Sequence, residues 1–467
     1  MKQNIVRLMV LGVLIVLCIG QTAMLWLGDM SGHNFFVHNK MGYEVSYVQP
    51  KQVWCNIQGN IKSSTKNNVN SGIYKLESER QALFEELIKE LRNNRLTMDY
   101  TPNEKYTSLL NSSQGIVYEF GTELTIDEII GQNLNIRKRR HSSIKIKEIY
   151  VDLSVANAYK TYIYFIDEHA NVRQKITLDS QLKAGLEVVT LYVEKENISS
   201  HEVYQASINS TSDSDFFVGN NFYPQVGGSI VAEGNRIQFG PVINDLESSQ
   251  LENYVNYLFK NPSNKIINVT ETGITYTDNI NVSVRYNHIG TLEFQKTLLN
   301  NNNKLSDVER MSKINSFIET SGAIPDFLKK GIYLEDYFYD SKTGETIYRF
   351  GYRYEDGQIV VLSEQAKAQL EVSAFLELGI KDGEITSGKW IMLEPFEVGE
   401  LVIEEMSSSE AINAIYENSG LIELETFKLD SLECAYILED IQKESEFEWV
   451  GLYLGQPITT IAKIDNE

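Results

Sequence analysis

The chain has 467 residues, with 64 acidic against 42 basic side chains and a formal net charge of −22. That balance excludes a general basic surface for nucleic acid, and three cysteines exclude a disulfide framework. Beyond the first 28 residues there is length for two or three domains, each with its own core.

The first feature in chain order is an apolar run from Leu8 to Leu27, without a charged side chain, preceded by Lys2 and Arg7 and followed by Asp29. At 1.5 Å per residue, a helix of about 20 residues spans roughly 30 Å, the thickness of a bilayer's hydrocarbon core. Leu8, Leu11, Leu14, Leu17, Leu25, Trp26 and Leu27 are its bulky membrane-facing residues. The basic residues lie before the run, so the positive-inside rule keeps residues 1–7 in the cytoplasm and sends the remainder out of the cell. A cleaved signal peptide shares these features, but the run is long for one, and Gln21 and Ala23 make a poor cleavage site. Leu17 before Cys18 is too large for a lipoprotein signal. The expected localisation is therefore a single-pass protein of the cell membrane with an extracellular ectodomain.

Residues 28–42 read as a stalk. An N-terminal α+β unit is expected over 43–205, a middle helix and sheet unit over 206–305, and a C-terminal α+β unit over 306–467. The first unit begins with a strand-like run, Glu44 to Ile57. Glu77 to Arg95 then places Leu83, Phe84, Leu87, Ile88 and Leu91 on one helical face, with Ser78 as a cap. β-rich runs follow at Ile116 to Phe120, Ile144 to Leu153, Thr161 to Ile166 and Glu187 to Val193. The polar cluster Asn197 to Asp215 marks a linker and a boundary near residue 205.

From there a loose repetition of helix followed by strands runs to the end. The helices are Leu246 to Phe259, Ser306 to Thr320 and Ser407 to Asn418. The strand runs are Ile266 to Tyr276, Val282 to Phe294, Tyr333 to Phe338, Thr346 to Tyr354, Glu433 to Leu438, Glu448 to Leu454 and Ile458 to Ile464. The fold class is α+β: antiparallel sheets, each covered by helices, behind one transmembrane helix.

Signatures of chemistry are near misses. Gly383 to Lys389 fits the spacing of a phosphate-binding loop, but Trp390 replaces the Ser or Thr that would hold magnesium, and a strand follows where a helix is needed, so the segment reads as a hairpin turn. The six histidines are scattered, and Asp213 and Asp215 lack the glycine and closing glutamate of a calcium loop. No catalytic, cofactor-binding or metal-binding residue is assigned, and the chain reads as a non-enzyme. One local reversal of charge stands out, Arg137, Lys138, Arg139 and Arg140, as either a solvated loop or an interaction patch for an anionic lipid, polymer or partner. Cys55 and Cys434 could bridge the two ends of the ectodomain, which spacing leaves open.

Trp26-Leu27-Gly28 after the apolar run, Tyr254-Val255-Asn256-Tyr257 to Asn261-Pro262 leading to Tyr276-Thr277-Asp278-Asn279, and Ser409-Glu410-Ala411-Ile412 resemble the YycH and YycI proteins. These are single-pass anchored regulators of the WalK-type sensor histidine kinase of low-GC Gram-positive bacteria. The resemblance implies a non-enzymatic regulator in cell-wall homeostasis, without cofactor. Its anchor helix would contact the kinase and its ectodomain would pair with a sister membrane-anchored regulator. The alternative is an anchored envelope protein that binds a peptide or cell-wall ligand.

Overall fold

The computed structural model describes residues 48–57, 72–76, 78–94, 96–99, 104–132, 144–154, 160–194, 204–207, 216–218, 222–224, 233–243, 249–298, 304–402, 406–420, 427–454 and 456–460. The apolar run Leu8 to Leu27, the stalk, the basic run Arg137, Lys138, Arg139 and Arg140, and the Asp213 and Asp215 loop lie outside them. Among the described residues no helix is long and apolar enough to cross a membrane.

The first sheet is antiparallel throughout and holds β1 (Gln52–Ile57), β2 (Gly72–Lys75), β3 (Thr97–Asp99), β4 (Gly115–Thr125), β5 (Lys145–Asp152), β6 (Thr161–Ile166), β7 (Val172–Leu178), β8 (Tyr204–Ala206) and β9 (Phe222–Pro224). Their spatial order is β3-β7-β6-β5-β4-β1-β2-β8-β9. β1 is central and buried along its whole length. On one face Val53, Cys55 and Ile57 share a core with the helix Arg80–Asn93. On the other, Trp54 packs with Val117, Tyr150 and Tyr106 under the short helix Tyr106–Ser112. The sheet is thus covered on both faces, where sequence alone implied one, because its central strands carry apolar residues at both parities.

The helix Arg80–Asn93 buries Leu83, Phe84, Leu87, Ile88 and Leu91, the expected face. Each such burial is worth about 2 kcal/mol relative to exposure. Ser78 is not its cap: the helix starts at Arg80 with Glu79 before it and no side-chain cap bond. Glu187 to Val193 is not a strand but part of the helix Lys183–Glu194. Its β-branched residues mislead, because burial at Leu182, Gly185 and Val189 follows the helical period, and the Glu86 carboxylate accepts from the first amides, Lys183 and Ala184.

β10 (Glu233–Pro241) joins a small ladder with β20 (Leu393–Val402) and β22 (Glu444–Ser445). The second large sheet contains β11 (Ile266–Thr270), β12 (Gly273–Thr277), β13 (Val282–Asn287), β14 (Thr291–Lys296), β15 (Ile332–Asp340), β16 (Glu345–Arg353), β17 (Ile359–Leu362), β18 (Leu376–Lys381), β19 (Glu384–Ile391), β21 (Ser431–Leu438), β23 (Phe447–Tyr453) and β24 (Gln456–Thr459). Its order is β11-β12-β13-β14-β19-β18-β16-β17-β21-β23-β24, with β15 beside β16, and only the β17 to β21 pairing is parallel. The runs Ile266 to Tyr276 and Val282 to Phe294 are each a hairpin rather than one strand. Between the two hairpins the Asp278 carboxylate accepts from the amides of Ile280, Asn281 and Val282, each at 2.9 Å, with Asn279 left-handed at φ 55°.

The Gly383 to Lys389 segment is a hairpin. Lys381 pairs with Glu384 across Asp382 (φ 48°) and Gly383 (φ 77°), a two-residue turn whose positive φ suits glycine, and Trp390 is buried in the core. One continuous core runs from Val48, Cys55 and Leu83 to Trp390, Tyr436 and Leu438, so the two large sheets are packed on each other.

Candidate functional site at the junction of the two sheets

The segment that leads into β1 is gripped from the second sheet by groups far away in sequence. Arg353, the last residue of β16, is 3% exposed. Its Nη1 donates to the carbonyls of Pro50 and Lys51, both at 2.6 Å, while Nε and Nη2 donate to Gly331 and Ile332 at 3.3 Å. The guanidinium also lies 5.2 Å over the Tyr333 ring. A planar fork of donors suits four carbonyls from two segments in a way an ammonium could not. Burial pushes the Arg353 pKa well down, with Arg80 adding to the effect and Tyr333 opposing it.

Beside it, Lys51 Nζ meets Glu433 Oε1 of β21 at 2.9 Å, with the two side chains only 11% and 12% exposed. Gln52 Nε2 donates to the other oxygen at 3.1 Å, so both oxygens of the carboxylate are engaged. Burial acts to lower the Lys51 pKa, but Glu433, Tyr333 and Glu119 together override it and hold it above the usual lysine range.

The third part of the junction is backbone on backbone. β15 crosses so close to β4 that a Cβ at Gly121 would collide with the Leu334 carbonyl oxygen. Only glycine fits there, and Lys147 Nζ donates to the Gly121 carbonyl at 2.6 Å. Burial lowers the Lys147 pKa, with Lys51 adding and Glu119 opposing. At the rim, Lys145 Nζ donates to the Tyr337 hydroxyl at 2.9 Å, and Tyr337 stacks on Tyr348 with ring centroids 5.6 Å apart.

The arrangement fixes the entry of β1 to both sheets; it presents no nucleophile next to a base. Among the described residues no cluster of three or more His, Cys, Asp or Glu could hold a metal ion. Cys55 and Cys434 are both free thiols, so the bridge left open by spacing is not formed. Burial pushes both thiols up, helped by Glu79 at Cys55 and opposed by Lys75 at Cys434. Sequence reasoning missed Lys51, Arg353 and Glu433, whose contacts across the junction span more than 300 positions. No local signal marked them: Lys51 follows a proline, and Arg353 and Glu433 sit in strands of mixed polar and apolar residues.

The molecule belongs, by architecture, with mixed α+β proteins in which two large antiparallel sheets share one core. No family model matches the chain, and no curated protein matches it in sequence. Among solved structures it matches YycH from Bacillus subtilis over 90% of this chain and 97% of that one, with a TM-score of 0.57 and 14% identity. At that identity the likeness is one of fold, and the chain has the YycH fold.

Proposed function

We infer that the chain is a non-enzymatic, extracytoplasmic regulator of a two-component sensor histidine kinase. The observation that carries the reading is the sharing of one fold with YycH along nearly the full length of both chains. The regulatory role is what the YycH and YycI resemblance implies, and two further features support it. Leu8 to Leu27 has the composition and length of a membrane anchor, with Leu8, Leu11, Leu14, Leu17, Leu25, Trp26 and Leu27 available to pack against lipid or a kinase helix. The chain that emerges from that anchor enters the junction at Pro50 and Lys51.

In this reading the anchor is the effector and the ectodomain the docking or sensing body, arranged as units over 43–205, 206–305 and 306–467. Partners are the kinase and a sister anchored regulator, and Arg137, Lys138, Arg139 and Arg140 form a patch for an anionic surface. A partner helix that favours one kinase state by a few kcal/mol is enough to shift its output. The test is capture of the kinase from membranes by the full chain. Exchanging Leu8 to Leu27 for an unrelated transmembrane helix should abolish capture, and undiminished capture would overturn the helix contact.

A further inference from the structure

The two large sheets have five outer strands, and four of them are guarded. β15, which pairs with β16 alone among the described residues, carries a bulge between Leu334 and Asp336 with the charges of Glu335 and Asp336, and its Leu334 backbone lies against β4. β3 and β9 have three residues each, β9 ends in Pro224, and β24 has four residues with Pro457 among them. Short length and proline are the ordinary devices that keep an edge from recruiting another strand. β11 has neither. Among the described residues it pairs with β12 alone, and all five of its residues are exposed.

Ile266 is 51% exposed, Ile267 46% and Val269 68%, and no charge or bulge interrupts the strand. Strand alternation puts Ile267 and Val269 on the same face as their buried neighbours Tyr276 and Ile274, so an apolar layer runs off the edge uncovered.

The stretch Lys265 to Glu271, with sequence KIINVTE, also complements itself. With a second copy antiparallel about Asn268, Ile267 stands opposite Val269, Ile266 opposite Thr270 and Asn268 opposite itself. The positive end at Lys265 then lies opposite the negative end at Glu271 of the second copy, twice by symmetry. A parallel arrangement would set like charges side by side. The Lys265 side chain is only 10% exposed and is engaged within its own chain by Asn256 (2.6 Å) and Glu252 (3.6 Å), whereas Glu271 is exposed.

We propose that β11 is the homodimer edge of this protein, joining two copies by an antiparallel strand pair centred on Asn268. The contact is isologous and closes after two copies, and it continues the second sheet across the two-fold axis. It does not depend on the kinase reading.

The test uses the full chain in its membranes. In an antiparallel pair, facing Cα atoms lie about 4.5–5.5 Å apart, within reach of a disulfide. Asn268→Cys under mild oxidation should give a band of dimer mass that the parent, with its three native cysteines, does not give. Val269→Lys added to it should remove the band, because the charge would be buried in the pair. Glu271→Lys and Lys265→Glu, each made in the Asn268→Cys background, should each lower the yield by about threefold or more, and co-expression of the two chains should restore it between them. Unchanged thermal melts identify variants that retain their fold. No band from Asn268→Cys, a band as strong from the exposed hairpin position Thr343→Cys, or cross-linking only to another protein would overturn the proposal.

Discussion

Lys51 and Glu433 show how much one pair of side chains can decide. Removing one partner of a buried pair leaves the other charge uncompensated, whereas replacing both with apolar residues avoids that loss. Glu433→Gln should therefore lower stability by about 2–3 kcal/mol, discounted slightly because both side chains keep some solvent contact. Adding Lys51→Met should recover more than half of the loss, with urea unfolding of the four chains of the cycle as the measurement. Simple additivity of the two substitutions would mean that the pair is not coupled. Neither residue was legible in the sequence as a partner of the other, since a lysine after a proline and a glutamate in a β-run look like ordinary surface residues. Only the fold brings them together, at a separation of 382 positions.

Among elements, the helices with local punctuation were the legible ones. Ser306 and Ser407 each accept from the amide three residues on, and Glu309 and Glu410 reach back to the cap amide, completing two capping boxes. Those S-x-x-E patterns begin two helices whose ends sequence alone located closely. Ser306→Ala should cost about 1 kcal/mol, read as a lower urea midpoint, with Ser306→Asp close to the parent. Hydrogen bonds from the caps hold the Glu309 and Glu410 pKa values below the usual carboxylate range.

The helix Lys183–Glu194 was misread because Val188, Val189, Thr190 and Val193 favour strands locally, and its N-terminal cap, Glu86, comes from another helix. The short helices Asp326–Gly331 and Glu364–Leu370 are too brief to show a period. β1 was half legible: its composition marked a strand, but nothing local announced that both faces would be covered.

At the scale of the molecule, the buried ionisable groups fix how it responds to alkali. The Lys51 pKa is raised, so the pair with Glu433 contributes fully below about pH 10, the range of an unfolded lysine, and the contribution is lost as pH rises through the higher folded value. The Tyr118, Tyr150 and Tyr333 phenols are raised by burial, with Glu86 adding at Tyr118, hydrogen bonds from Ser113 and Asn56 opposing at Tyr150, and Lys51 opposing at Tyr333; Tyr436 is pushed up to about 12. Each of these has the same sign, since the unfolded chain gives up its protons first. The urea midpoint should hold between about pH 7 and 9 and fall steeply above about pH 10, with the absorbance of buried tyrosinate rising together with loss of ellipticity. Tyrosinate from these buried residues well before unfolding would contradict the burial.

The general class, α+β with antiparallel sheets, was legible from alternation and turn residues. The merging of both sheets around one core was not, because it depends on Gly121 and Arg353 meeting distant backbone. That long reach governs the order in which the protein can be completed. Pro50 awaits Arg353, synthesised 303 residues later, and Lys51 awaits Glu433. The earliest described strand therefore leaves the ribosome long before its clamp exists, and its final locking belongs to the last stages of biosynthesis.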